Sequence, residues 1–241
     1  SRYLNGIFLR NVRKVDISEM EMYGFPTGAG VSASSISGRI SRNYIHDFLQ
    51  NAAGSFLTTP QSTGIEIDGW RVDLDVSNQD SDGLFITENH LEDIRFTGTA
   101  FTTYNDQTDG INIQGPLQPG RRVIANNYVR NVGEGIDAFA DYVAITGNVV
   151  DECTEYGIKL IHGTSYNTIT GNTVRKSGRA GIIISSTTVG DCVGNAIVGN
   201  AGSGVGLAYS AAPLSAAGVI IQAVQAPSVS ATATTGIPPV T

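Results

Sequence analysis

The sequence is poor in the residues that build metal centres, disulfide frameworks and membrane spans. Only two of its 241 residues are cysteines, Cys153 and Cys192, too few for a disulfide-stapled scaffold. No CxxC or HExxH spacing occurs, so no metal site of that kind is expected. No apolar run approaches the roughly 18–20 residues of a membrane-crossing helix, and no membrane partner is expected. Positive charge is also short. Fifteen Lys and Arg stand against twenty-two Asp and Glu, a net charge of −7. Such a chain has no counterion-release drive toward nucleic acid or anionic lipid, so nucleic acid is not an expected partner either. Charged residues make up only 15% of the whole, which disfavours long solvated helices. An initiator Met and a signal peptide are both missing from the opening SRYLNGIFLR, which starts inside a repeat; a fragment or processed product is expected.

What the chain has is repetition. Gly135 to Ser186 reads as one unit written twice: Gly-Ile, a short alternating run, a turn, Ile-Thr-Gly-Asn-x-Val, and a polar turn. Gly135, Gly157 and Gly181 are 22 and 24 residues apart, and Asn148 and Asn172 are 24 apart. Periods of this size with strand-like alternation mark a solenoid. The register extends to Gly-Ile-like starts at Gly6, Gly30, Gly64, Gly110 and Gly204. Second-strand anchors fall at Ser18, Asn43, Asn89, Asn127, Asn148, Asn172 and Asn195. Around the anchors run apolar columns such as Ile40, Ile86, Ile124, Ile145 and Ile169, as stacking of coils about 4.8 Å apart requires. The expected fold is an all-β, single-stranded parallel β-helix of about eight coils. The Asn column is read as structural, with Asn in the left-handed corner and stacked amides bonding one another. Cys153 and Cys192 fall in different core columns and are read as buried free thiols.

Function is sought on the outward columns of the Gly-Ile strand. The residue after the inward Ile gives Phe8, Ser32, Glu66, Asn112, Asp137, Lys159 and Ile183. Two further on stand Arg10, Ser34, Asp68, Gln114, Phe139, Ile161 and Ser185. The residue before each Gly gives Asn5, Ala29, Thr63, Asp109, Glu134, Tyr156 and Ala180. The middle coils therefore collect Glu66, Asp68, Asp109, Glu134, Asp137, Tyr156 and Lys159, with His162 near the lower end. Like charges one coil apart raise at least one pKa, giving the acid and carboxylate that glycoside cleavage needs. Candidate pairs are Asp109 with Glu134, about 5 Å apart if on adjacent coils, and Glu66 with Asp137, nearer 9–10 Å. The first suits a retaining hydrolase, the second an inverting one. Asp68, Asn112, Gln114, Tyr156, Lys159 and His162 are candidates for holding the sugar. A solvated face is the bland alternative. Lyase chemistry with Lys159 or Tyr156 as base or acid is another. No cofactor is required; the acidic cluster could hold Ca²⁺. His46 and His90 lie on a different face.

Long insertions fall between Asn43 and Gly64, within the Gly64 coil, and between Asn89 and Gly110. These side loops on coils two to four are expected to wall a groove. One carries Trp70, the single tryptophan, which could stack on sugar or pack the loop onto the helix. The repeat is assigned to residues 1–209. Residues 210–241, almost uncharged and with one apolar run from Gly218 to Val224, are read as a cap, an oligomerisation segment or a linker.

The Gly-Ile plus Ile-x-x-Asn-x-Val repeat resembles the right-handed parallel β-helix proteins of the pectin-lyase-like superfamily. Gly135 to Ser186 is particularly similar to repeats of NosD-like proteins and of mannuronan epimerase modules. The epimerase Asp-Pro-His-Glu is replaced by Asp109-Gly110-Ile111-Asn112. The stretch QTDGINIQG, Gln107 to Gly115, resembles the Asn-Thr-Asp-Gly-Ile segment of polygalacturonases, which implies a catalytic carboxylate at Asp109. The next carboxylate position of that family falls on Glu134. Its Gly-His-Gly is Glu155-Tyr156-Gly157 here. Phage tailspikes share the fold as homotrimers that bind or cut bacterial surface polysaccharide. The resemblance implies a hydrolase acting on polysaccharide, extracellular or on a virion surface, with Asp109, Glu134, Asp137 and Glu66 as its acids and bases. A non-catalytic glycan-binding fibre and a polysaccharide lyase are the alternatives.

Overall fold

The computed structural model describes residues 4–25, 28–50, 61–68, 81–96, 107–114, 120–161, 163–185, 192, 194–203, 207–210 and 220–222. The long side-loop insertions, Trp70 and His162 lie outside these residues, as does most of the tail. All sheet pairing is parallel, and the described residues contain no helix. Sheet one stacks eight strands: Leu4–Arg10, Gly28–Ser34, Gln61–Ile67, Gln107–Gln114, Glu134–Phe139, Tyr156–Ile161, Ala180–Ser185 and Leu207–Ser210. Sheet two stacks eight more, from Val15–Ser18 to Ile220–Gln222, and sheet three stacks seven, from Glu21–Tyr23 to Ala201–Ser203. Each of the first seven coils contributes one strand to each sheet in turn, and the eighth contributes to sheets one and two among the described residues. The fold is a right-handed parallel β-helix of eight coils, and its strands continue past residue 209.

The inward columns explain why the coils stack. In sheet one, Val31, Ile65, Ile111, Ile136, Ile158 and Ile182 meet in register and are buried. Sheet two supplies Ile40, Ile86, Ile124, Ile145 and Ile169. Sheet three supplies Ile45, Leu91, Val129, Val150 and Val174. Branched side chains suit a pleated surface packed on its inner face. Burying one of them contributes about 1.5–3 kcal/mol, more than a typical net hydrogen bond at about 1 kcal/mol. Apolar burial therefore holds the stack. The repeated glycine of sheet one reflects crowding. A Cβ at Gly30 would stand 2.8 Å from both Ile45 Cγ2 and the Gly64 carbonyl oxygen, and one at Gly135 would strike Val150 and the Gly157 carbonyl.

Hydrogen bonds then fix where each turn falls. The Nδ2 of Asn43 donates to Asn89 Oδ1 at 2.9 Å, and the pattern repeats through Asn127, Asn148, Asn172 and Asn200 at 2.8–3.0 Å. Each of these Asn backbone N–H groups up to Asn172 donates to the same acceptor oxygen in the next coil. Each Nδ2 also reaches a carbonyl of sheet two, for example Asn148 to Ile124 at 2.9 Å. The left-handed residue is the one before each Asn: Arg42, Glu88, Asn126, Gly147, Gly171 and Gly199. The Asn itself supplies the amide.

The register read from sequence holds from Asn43 to Asn172 and shifts at both ends. Ser18 pairs with Ser41; the first-coil position of the Asn column is Met20, whose N–H donates to Asn43 Oδ1. Asn195 belongs to a second, shorter amide column, accepting from the Asn167 N–H, and Asn200 continues the main one. In the last coil Leu207, rather than Val205 after Gly204, pairs with Ile182. Cys153 and Cys192 are free and buried, and burial pushes both thiols up.

Candidate functional site

The three outward columns of sheet one assemble as expected. Ser32, Glu66, Asn112, Asp137, Lys159 and Ile183 follow one another coil by coil. Beside them run Thr63, Asp109 and Glu134. The strip is not a solvated face: Asp109, Glu134 and Asp137 are only 1%, 3% and 4% exposed. Carboxylate oxygens of these three residues lie within 4.8 Å of one another. They come from two adjacent strands, Gln107–Gln114 and Glu134–Phe139, so one inter-strand step sets the spacing.

Two nitrogen groups hold the carboxylates together. Asn112 Nδ2 donates to Asp109 Oδ2 at 2.8 Å and, at 3.5 Å, to Asp137 Oδ2. Lys159 Nζ, from the following coil, donates to Glu134 Oε2 at 2.7 Å and to Asp137 Oδ2 at 3.4 Å. Asp137 Oδ1 and Asn112 Oδ1 are buried without a hydrogen-bond partner. Burial pushes the Glu134 carboxyl well above its ordinary range, and Asp137 adds to this; Lys159 opposes it. Burial alone would lower the Lys159 ammonium, but Asp137 and Glu134 outweigh it and hold the group charged. The crowding of the cluster thus favours the protonated form of Glu134. Lys159, being held protonated, is not a base near neutral pH.

The other candidates spread away from this centre. Glu66 lies one coil earlier, in register with Asn112, and accepts from Ser32 Oγ at 3.3 Å. It is two coils from Asp137, so these two are not direct neighbours. Asp68 is a corner residue with φ 53°; its carboxylate accepts from the N–H of Ser35 at 2.8 Å and of Ser81 at 3.2 Å. Burial raises its pKa. Those backbone bonds tie turns together, so Asp68 is not positioned to hold a sugar at the cluster. Gln114 is half-buried at the end of its strand, beside Phe139. Tyr156 accepts a hydrogen bond from Arg179 Nη1 at 2.8 Å, and its ring centroid is 5.9 Å from Lys159 Nζ.

One column of sheet one went unread, the residue two before each Gly. It places Thr108, Glu155 and Arg179 beside the cluster. Thr108 Oγ1 accepts from the Gly133 N–H at 3.1 Å, and Arg179 pairs with Glu155 at 3.1 Å. The signal was present, since Arg179 precedes Ala180 just as Glu155 precedes its register partner Tyr156.

Among the described residues, His46 and His90 sit on the outer face of sheet three. His46 lies between Glu21 at 3.2 Å and Asp47 at 2.8 Å and stacks on Tyr44, centroid to centroid 3.9 Å. His90 reaches Glu92 at 3.3 Å, between Tyr44 and Tyr128.

Neither curated proteins nor solved structures gave a match to this chain. A family model described as periplasmic copper-binding protein (NosD) matches residues 48–213. That span takes in the cluster and the amide column from Asn89 to Asn200. With most of the β-helix covered by that match, the chain belongs to the NosD family.

Proposed function

We propose that this protein is an exported polysaccharide-processing β-helix that hydrolyses glycosidic bonds at the Asp109–Glu134–Asp137 cluster. The observation that carries the reading is three buried carboxyl groups within 4.8 Å of one another, with burial and Asp137 pushing the Glu134 carboxyl well above its ordinary range. In this reading Glu134 gives its proton to the leaving glycosidic oxygen. Asp109, oriented by Asn112, attacks the anomeric carbon, and the Glu134 carboxylate then takes a proton from the water that releases the sugar. A separation within 4.8 Å is closer to the ~5–5.5 Å of retaining enzymes than to the spacing of inverting ones. Lys159 steadies the negative charge left on Glu134 after transfer.

The family description supports export more than a place on a virion. Copper, which that description names, favours imidazole and sulfur donors. The one cluster of three or more potential ligands among the described residues is all carboxylate, and Lys159 stands 2.7 Å from one of them. Cys153 and Cys192 are buried and apart, and His46 and His90 are engaged by carboxylates. These residues do not fit copper, and no step is assigned to it. Ca²⁺, an oxygen seeker, suits the carboxylates better, but the Lys159 ammonium already stands among them.

Release of reducing ends from a panel of neutral and acidic polysaccharides tests the reading. Asp109→Asn and Glu134→Gln are each expected to lower kcat by about 10²-fold or more. Wild-type rates in both variants would refute the site assignment. Binding without release would favour the non-catalytic glycan binder, and an unsaturated product would favour a lyase.

A further inference from the structure

We infer that a second site, a basic pocket on sheet two, binds uronate-bearing saccharide. It is an open groove of about 600 Å³ along the corner before sheet two, spanning the first four coils. That is ample for a sugar unit, since ligand sites usually fall at ~300–1,000 Å³. In a chain of net charge −7, four of the fifteen Lys and Arg line this one pocket: Arg13, Lys14, Arg39 and Arg121.

Two of the four are matched by acids. Arg39 pairs with Asp16 at 2.7 Å. Arg121 approaches Asp82 at 3.7 Å, and its backbone N–H donates to the same carboxylate at 2.6 Å. Arg13 and Lys14 make no ion pair among the described residues, so the pocket retains two uncompensated cations. The Lys14 corner is fixed, with φ 60° and its N–H on Ser37 Oγ at 3.2 Å.

Among these charges stands an apolar ring. Asp16, Arg39 and Phe85 form one outward column, and Phe85 is 45% exposed. A simple anion would leave the ring unused; a neutral sugar would leave Arg13 and Lys14 unused. A uronate answers both, its ring C–H face on Phe85 and its carboxylate on the guanidinium. The inference rests on the polysaccharide reading and narrows it to acidic polymer. Binding here is read without any cleavage, so the two claims fail separately.

The test is calorimetric titration of the full chain at low salt with tetragalacturonate, maltotetraose and inorganic phosphate. Tetragalacturonate should bind and maltotetraose should not. Replacing Arg13→Gln together with Lys14→Gln should weaken binding about tenfold, as loss of charge-assisted bonds implies. Phe85→Ala should also weaken it, and Glu152→Gln, beside sheet three, should not. These pocket side chains are exposed, and an unchanged melting temperature would certify the fold. No tetragalacturonate binding, or binding indifferent to the double variant, overturns the proposal. Equal binding of maltotetraose overturns the acidic requirement. Full competition by phosphate, or indifference to Phe85→Ala, reduces the pocket to a plain anion site and overturns the saccharide claim. Equal loss in Glu152→Gln would overturn the assignment to sheet two.

Discussion

Two stacks of charge in this molecule share one lattice spacing and differ in everything else. On the outside of sheet three, signs alternate between coils: Arg130 with Glu152, Lys176 with Glu152, Arg175 with Asp151. The two Glu152 pairs are met by solvent, and such pairs contribute little to stability. On sheet one, three buried carboxylates crowd one half-buried ammonium. Coil stacking forces neighbours together in both places. Only in the second does it place like charges where water cannot screen them. A column that serves folding alone is expected to look like sheet three. The sheet-one arrangement works against stability, which is what a site retained for chemistry would do.

The largest effect should follow from removing the ammonium. Lys159→Met leaves the carboxylates without a counter-charge and is expected to cost about 3–5 kcal/mol, read by chemical denaturation. If stability barely changes, the cluster is more hydrated than its burial implies. Asp137→Asn removes one like charge while keeping the shape. It should raise the melting temperature and lower any cleavage, a pairing that a purely structural network would not give. Next in size is a pH effect. Glu134 binds its proton more tightly folded than unfolded. Its contribution to stability is therefore full below the ordinary glutamate value of 4.5 and is lost as pH climbs through the raised folded value. Melting curves of wild type and Glu134→Gln should diverge in the variant's favour as pH rises; parallel curves would argue against the raised value. At the small end, Glu152→Gln on sheet three should leave the melting temperature indistinguishable from wild type.

The middle of the helix was legible because two independent signals agree there. Gly must be small against the Val and Leu of sheet three, and Asn must bridge to the next Asn. At the first coil the second signal fails: Met20 stands where the amide would be, and Ser18 drew the alignment two residues early. At the seventh coil the signal is doubled. Asn195 and Asn200 both receive amide bonds, in different columns, and spacing alone does not separate them. The carboxylate strip was legible as a set of columns, since alternation decides which side chains point outward. Its burial was not, because nothing in a period-two pattern says what lies over an outer face. The basic pocket was invisible for a similar reason. Arg13, Lys14, Arg39 and Arg121 are scattered over three coils, and charges on turns and outer strands read singly as solvated surface.

The asparagine column has a consequence for the length of the molecule. Every amide both gives and takes in the same way, so the stack contains no coil that is irreplaceable as a link. Excising residues 149–172, one full pitch, would bring the Asn148 amide to face Asn200 and restore an unbroken series. A cut of half that size would strand an amide against aliphatic side chains. Such a β-helix should shorten or lengthen in whole turns, as a zip does by teeth.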